Sequence, residues 1–248
     1  PVYEDLVDLF LSLAEDHGMT FYFGTYDSVT FAAQERTIQQ HLDLGRALID
    51  EVWERYGHRE AFKGWYLTFE IARNEPTRLA CLRDLGRHCK QVSPGLPTLI
   101  SPYIAGRKAT SAAVSLDDHT GDWDGILAAL EGVVDTVAFQ DGHVDYDELP
   151  GFLSANSALI AKHGMHAWSN VESFDRDMPF RFPPIDWRKL RWKMEAAAEA
   201  RVEKLITFEF SHFMSPQSSW PAAANLFRRY CEHIDVDPMP WLTHAHRG

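Results

Sequence analysis

Apolar positions along the chain recur with two alternating periods. Leu6, Leu9, Phe10 and Leu13 lie three and four apart and predict a helix over residues 3–17, closed by Gly18. Thr20–Tyr26 reads as a strand. A helical period from about Gln34 to Tyr56 stops at Gly57, and Gly64–Ile71 is the next strand. Pro76 suits the first turn of a helix running to about Gln91. The alternation continues as strand Thr98–Ile104, helix Trp123–Val133, strand Thr136–Gln140, helix 146–162 and strand Met165–Ser173. Helix 186–203, strand Leu205–Ser211 and helix 221–233 complete it. Strands alternating with helices predict βα units and a parallel sheet.

Two short stretches nearly repeat each other, Asp16-His17-Gly18-Met19-Thr20 and Lys162-His163-Gly164-Met165-His166. Both read as a helix-ending glycine followed at once by a strand, the same local solution used twice. The proline-rich stretch 178–187 reads as a long βα loop on the rim of a cleft. Six strands fall two short of a closed (β/α)8 barrel, and the chain opens on a helix. An open doubly wound sheet advertises a glycine-rich phosphate turn after an early strand, and this chain has none. The fold class expected is therefore α/β, a TIM-type (β/α)8 barrel lacking its first two βα units. It is expected to form one catalytic domain over residues 1–248.

Composition narrows the partners. The 248 residues carry 36 acidic against 24 basic side chains, a formal charge of −12, with no basic run. That balance argues against nucleic acid and anionic membrane surfaces. No apolar stretch approaches the ~18 residues of a membrane span, and no signal peptide is visible. Cys81, Cys89 and Cys231 have neither disulfide-framework nor metal-ligand spacing and read as buried thiols. No cofactor fingerprint or metal-binding spacing occurs, so neither a cofactor nor a metal is expected.

Catalytic groups of a parallel barrel sit where strands end. Those ends read Tyr26-Asp27, Tyr66-Leu67-Thr68-Phe69-Glu70, Ser101-Pro102-Tyr103, Gln140-Asp141-Gly142-His143, Trp168-Ser169-Asn170-Val171-Glu172 and Thr207-Phe208-Glu209-Phe210-Ser211. With a period of two, Thr68 and Glu70 share a face, as do Trp168, Asn170 and Glu172, and Thr207, Glu209 and Ser211. Inward glutamates at three strand ends are costly unless they are used or paired. Paired carboxylates suit glycosyl hydrolysis, where one protonates the leaving oxygen and the other attacks or activates water. Tyr26, Tyr66, Tyr103 and Trp168 would stack on sugar faces, while Gln140, Asp141, His143, Asn170 and Glu209 would hydrogen-bond the substrate, a carbohydrate. Close carboxylates repel, which predicts a raised pKa, expected at Glu70. His17, His88, His163, His244 and His246 lack ligand spacing and read as surface or capping residues.

Gly64-Trp65-Tyr66-Leu67-Thr68-Phe69-Glu70, Gln140-Asp141-Gly142, Trp168-Ser169-Asn170-Val171-Glu172-Ser173-Phe174 and Phe208-Glu209-Phe210-Ser211 resemble the strand motifs of a bacterial domain-of-unknown-function family of (β/α)8 glycoside hydrolases. The resemblance runs from Gly18 to Ser211. It implies that the strand ending at Tyr26 is the third of the barrel, with two strands before Pro1. Glu70 then falls on strand four and Glu172 on strand seven. This is similar to the retaining-glycosidase superfamily, and implies Glu70 as acid/base and Glu172 as nucleophile. One departure is that Phe69 stands before Glu70, where that superfamily carries Asn. The resemblance further implies a secreted or periplasmic enzyme of polysaccharide degradation.

Two other readings use the same residues. A metal-dependent sugar isomerase would take Glu70, Asp141, His143, Glu172 and Glu209 as ligands of a divalent ion. A non-catalytic carbohydrate-binding barrel would keep the aromatic residues and tolerate loss of either glutamate.

Overall fold

The structure, a computed structural model, describes residues 5–26, 38–176 and 182–242. Residues 3–4 and 34–37 of the expected first two helices lie outside the described residues, as do Asp27, part of the 178–187 loop, His244 and His246. Six strands form a parallel sheet in sequential order: β1 (Phe21–Gly24), β2 (Phe62–Leu67), β3 (Thr98–Ile100), β4 (Thr136–Gln140), β5 (His166–Glu172) and β6 (Lys204–Phe208). Helix α1 (Leu6–Asp16) precedes β1, and between the strands run α2 (Ile38–Tyr56), α3 (Pro76–Val92), α4 (Leu116–Leu130), α5 (Leu149–Lys162) and α6 (Trp187–Glu199). A short α7 (Phe210–Phe213) and α8 (Pro221–His233) follow β6. This is the strand order of a (β/α)8 barrel, six of whose βα units the chain holds.

The chain divides into two compact units, each taken by itself. The first comprises Pro1–Pro102, Gly121–Val137 and Leu159–His166. Asp5 caps α1 by accepting the Asp8 amide at 3.2 Å, and Pro76 opens α3. Trp65 on β2 is fully buried and donates from Nε1 to Ser93 Oγ at 2.8 Å. Trp123 on α4 donates to the Ala72 carbonyl at 3.1 Å, so both large indoles satisfy their one donor inside the core. The repeated His-Gly-Met stretches close their helices identically. Gly18 and Gly164 have φ of +62° and +70°, and the following amides, Met19 and Met165, return to Ala14 and Ile160 carbonyls at 2.7 and 3.1 Å. Only glycine takes that left-handed turn without strain.

The second unit comprises Tyr103–Thr120, Ala138–Ala158 and Ala167–Gly248. Its core gathers Val171 of β5, Ile185, Trp187 and Leu190 at the start of α6, Met214, and Leu226 of α8. Asp186 caps α6 through the Arg188 amide at 2.9 Å, and Pro221 opens α8. Glu148 staples a turn by accepting the Arg107 and Asp145 amides at 2.8 and 2.9 Å. The three cysteines are free and buried, as read, and burial pushes the Cys89 thiol up to about 12.

Every strand but β4 stops earlier than expected, β3 at Ile100 instead of Ile104, and at β2 and β6 this moves candidate site residues. β2 ends at Leu67, so Thr68 and Glu70 lie beyond the sheet, where Thr68 Oγ1 donates to the Thr25 carbonyl at 2.9 Å. β6 ends at Phe208, and Ser211 belongs to α7. Glu209 is the N-cap of α7, so it and Ser211 do not share a strand face. Among the described residues no helix is long and apolar enough to cross a membrane.

Candidate active site

The three glutamates expected to point inward meet three different fates. Glu172, last residue of β5, is 2 % exposed. Arg176 holds both its oxygens, Nε to Oε2 at 2.8 Å and Nη2 to Oε1 at 2.6 Å. Burial raises the Glu172 carboxyl above the ordinary carboxylate range, and the neighbouring Asp141 charge adds to this. Arg176, and more weakly Lys193, work against it. The raised carboxyl identified here is thus Glu172, where the sequence argument put the effect on Glu70. The physical reason is burial, which outweighs repulsion between carboxylates.

Glu209 is consumed locally. Its carboxylate accepts the His212 amide at 2.9 Å, the Ser211 hydroxyl and the His212 ring. Partial burial pushes its carboxyl up, but these bonds prevail and hold it below the usual range. Glu70, in the first unit, is exposed, and its backbone carbonyl accepts Arg78 Nη1 at 2.6 Å. Tyr26 and Tyr66 also belong to that unit, both half-buried; the Tyr26 ring lies 5.1 Å from the buried His41.

Around Glu172 the second unit assembles Asp141, Gly142, Arg176 and Lys193. Asp141 Oδ1 accepts the Glu172 amide at 3.0 Å and Lys193 Nζ at 2.9 Å, and Lys193 Nζ also reaches the Glu172 carbonyl at 3.4 Å. The Asp141 amide donates to the Asn170 carbonyl at 3.3 Å, joining the ends of β4 and β5. Gly142 lies directly against the carboxylate, and a Cβ built there would overlap it. His143 follows, its ring 5.5 Å from that of Tyr103, which in turn bridges to Gln140. Burial first, then the charges of Arg176 and Lys108, hold the His143 imidazole below its ordinary value, which favours the neutral ring.

Trp168 does not join this cluster. It sits four residues before Glu172 on β5, about 13 Å away at strand spacing, with Lys204 Nζ 4.4 Å over its ring. Parity placed both on one face; distance along the strand separates them. Arg176 and Lys193 were not singled out in the sequence. The available signal for Lys193 was its place on the apolar stripe of α6, among Trp187, Leu190, Ala196 and Ala197.

For the isomerase reading, the five acidic and histidine side chains would have to converge. Among the described residues no three His, Cys, Asp or Glu side chains form a metal-holding group. Asp141 is committed to Lys193, Glu172 to Arg176 and Glu209 to its own turn.

Among curated proteins no sequence matches the chain. Among solved structures, a Bacteroides thetaiotaomicron VPI-5482 protein provisionally named an alpha-L-fucosidase is similar at a TM-score of 0.90 and 47% identity, over 96% of this chain and 74% of that one. An endo-1,4-beta-D-mannanase from Thermotoga petrophila RKU-1 is similar at a TM-score of 0.56 and 14% identity, over 92% and 79% of the two chains. The intracellular xylanase TsXylA of Thermoanaerobacterium saccharolyticum follows at 0.54 and 13%, over 82% and 70%. At such identities the mannanase and xylanase speak for the fold alone, the TIM barrel. A family model matches residues 1–220, and the chain belongs to that family, DUF4434, a domain of unknown function.

Proposed function

We propose that this protein is a retaining glycoside hydrolase acting on an oligo- or polysaccharide, with Glu172 as nucleophile and Glu70 as acid/base. The observation that carries the reading is the buried Glu172 carboxylate gripped at both oxygens by Arg176. A carboxylate that attacks an anomeric carbon must be ionised, desolvated and fixed in direction. Burial strips its water, Arg176 favours its charged form, and Gly142 leaves room for it. Each carboxylate oxygen has two lone pairs, so the bonds from Arg176 leave one to attack. The likeness to proteins named for fucosidase, mannanase and xylanase activities supports a hydrolase of glycosidic bonds.

In this reading Glu172 attacks the anomeric carbon while Glu70 protonates the departing oxygen. Glu70 then takes a proton from water, which opens the ester. Tyr26, Tyr66 and Tyr103 offer ring faces to sugar, and Asn170, Gln140 and His143 offer polar contacts, while Asp141 is turned to Lys193 and the Glu172 amide. The proton that Glu70 gives up in the first step it regains from the attacking water in the second, so it ends the cycle as an acid again.

The test is a panel of 4-nitrophenyl glycosides, including the α-L-fucoside, β-D-xyloside, β-D-mannoside and β-D-glucuronide. One of them is expected to turn over with retention, as seen by NMR of the first-formed anomer. The matching 2-deoxy-2-fluoroglycosyl fluoride is expected to label Glu172. Labelling of another residue, an inverted product, or turnover surviving in Glu172→Gln would refute the reading.

A further inference from the structure

Lys193 comes from the middle of α6, a helix whose other buried positions are Trp187, Leu190, Ala196 and Ala197. Its ammonium lies inside the protein, the side chain 7 % exposed, against an Asp141 side chain 2 % exposed. A buried ion pair is a poor way to gain stability, because desolving two charges costs as much as their attraction returns. Apolar replacements of such pairs are often neutral or stabilising. What this pair does gain is geometry. Asp141 Oδ1 takes Lys193 Nζ at 2.9 Å and the Glu172 amide at 3.0 Å, while the same Nζ lies 3.4 Å from the Glu172 carbonyl. Both main-chain polar groups of Glu172 are thereby tied to one charged pair. The next residue, Ser173, is held separately, its amide donating to the Phe208 carbonyl at 3.0 Å.

We propose that the Asp141–Lys193 pair positions Glu172: Lys193 immobilises the Asp141 carboxylate, which fixes the peptide carrying Glu172 and so aims its carboxylate past Gly142. The inference rests on Glu172 being the nucleophile. Neither residue touches substrate in this scheme; both act through Glu172. The charged groups facing Glu172 are Arg176 from the loop after β5, Asp141 from the loop after β4 and Lys193 from α6; the two cations favour its charged form, while burial and Asp141 oppose it. Glu209, which follows β6, directs its carboxylate to Ser211 and His212.

The experiment compares Lys193→Met, Lys193→Arg and the double variant Asp141→Asn/Lys193→Met on the best 4-nitrophenyl glycoside. Alongside, the Glu172 carboxyl is titrated by 13C NMR, assigned through Glu172→Gln. A misaimed nucleophile costs turnover rather than binding, so kcat is expected to fall about tenfold or more in Lys193→Met with KM little changed. The acid limb of kcat/KM and the NMR titration of Glu172 should both move to higher pH, since a positive neighbour is lost and Asp141 is left unbalanced. Lys193→Arg should recover most of the rate. The double variant guards against a Lys193→Met protein that fails to fold. It removes both charges together, keeps an acceptor for the Glu172 amide, and should restore the titration but not the full kcat. A folded Lys193→Met or double variant with wild-type kcat would overturn the proposal, as would a Glu172 titration unmoved in Lys193→Met. Turnover surviving in Glu172→Gln would instead overturn the nucleophile assignment. A dead Glu172→Gln beside a fully active Lys193→Met would overturn the positioning role alone.

Discussion

Arg176 grips both oxygens of Glu172 from four residues further along the same chain, at 2.8 and 2.6 Å, with its guanidinium 4.9 Å over the Phe174 ring. The carboxylate it holds is one that burial alone would leave protonated over a wider range of pH. Arg176 opposes that rise, so removing it should lift the Glu172 carboxyl further. A nucleophile works only when ionised. In Arg176→Met the acid limb of the pH–rate profile should therefore move to higher pH. Turnover at neutral pH should drop on the order of 10²-fold, because orientation is lost as well. Arg176→Lys should recover little, since one ammonium cannot hold two oxygens in a fork. An acid limb that stays in place would show that Glu172 is not the group titrating.

Gly142 is required for a different reason. Any side chain there meets the Glu172 carboxylate within overlapping distance. Gly142→Ala should cost on the order of 10²-fold in kcat by displacing the carboxylate, a shift of about 1 Å being sufficient. The turn itself should survive, because Gly142 has no positive φ to defend. A Gly142→Ala protein with wild-type kcat would mean that Glu172 moves aside without consequence for the chemistry.

How far the molecule was legible in its sequence follows from how local each signal is. Strand β4 and helix α8 have the bounds that Thr136–Gln140 and Pro221–His233 imply, because a short apolar run and an N-terminal proline are read in place. The two glycine-ended helices were legible for the same reason. The end of β6 was not. Thr207-Phe208-Glu209-Phe210-Ser211 keeps a period of two, yet Glu209 turns to cap His212 and the chain leaves the sheet. Glutamate three residues before the amide it accepts is a capping pattern, and it prevailed over the alternation. The neighbours that define Glu172 were beyond reach for another reason. Asp141 and Lys193 lie 31 and 21 residues from it in the chain, and only the fold brings them within hydrogen-bond distance.

The second of the repeated His-Gly-Met stretches differs from the first in one testable way. His163 lies between Glu131 Oε1 at 2.7 Å and Asp124 Oδ1 at 2.8 Å, and these partners raise its imidazole above the ordinary value. A histidine raised on folding stabilises fully below its unfolded pKa, about 6.5, and loses that contribution as pH rises through the higher folded value. Both carboxylates are about half exposed, so the effect should be about 1 kcal/mol or less. Urea denaturation of wild type and His163→Gln should differ most near pH 6 and converge in alkali. A difference that is constant with pH would assign His163 to packing alone.

Glu70 poses the sharpest test of the proposed division of labour. It is exposed, whereas Glu172 is buried and clamped, and the two environments suit opposite tasks. A nucleophile needs a fixed, desolvated charge, but an acid that becomes a base must shed and regain a proton each cycle. Proton donation matters only when the leaving group is poor. Glu70→Ala should therefore retain most of the first step on 2,4-dinitrophenyl glycosides, whose leaving group departs unaided. It should lose on the order of 10²-fold or more on unactivated saccharides. Hydrolysis of the ester still lacks its base in that variant, so the intermediate should accumulate as a burst of phenolate followed by a slow steady state. Added azide, which needs no base, should relieve the slow phase and give a glycosyl azide of retained configuration. Equal losses on activated and unactivated substrates, with no burst and no response to azide, would remove Glu70 from the acid/base role.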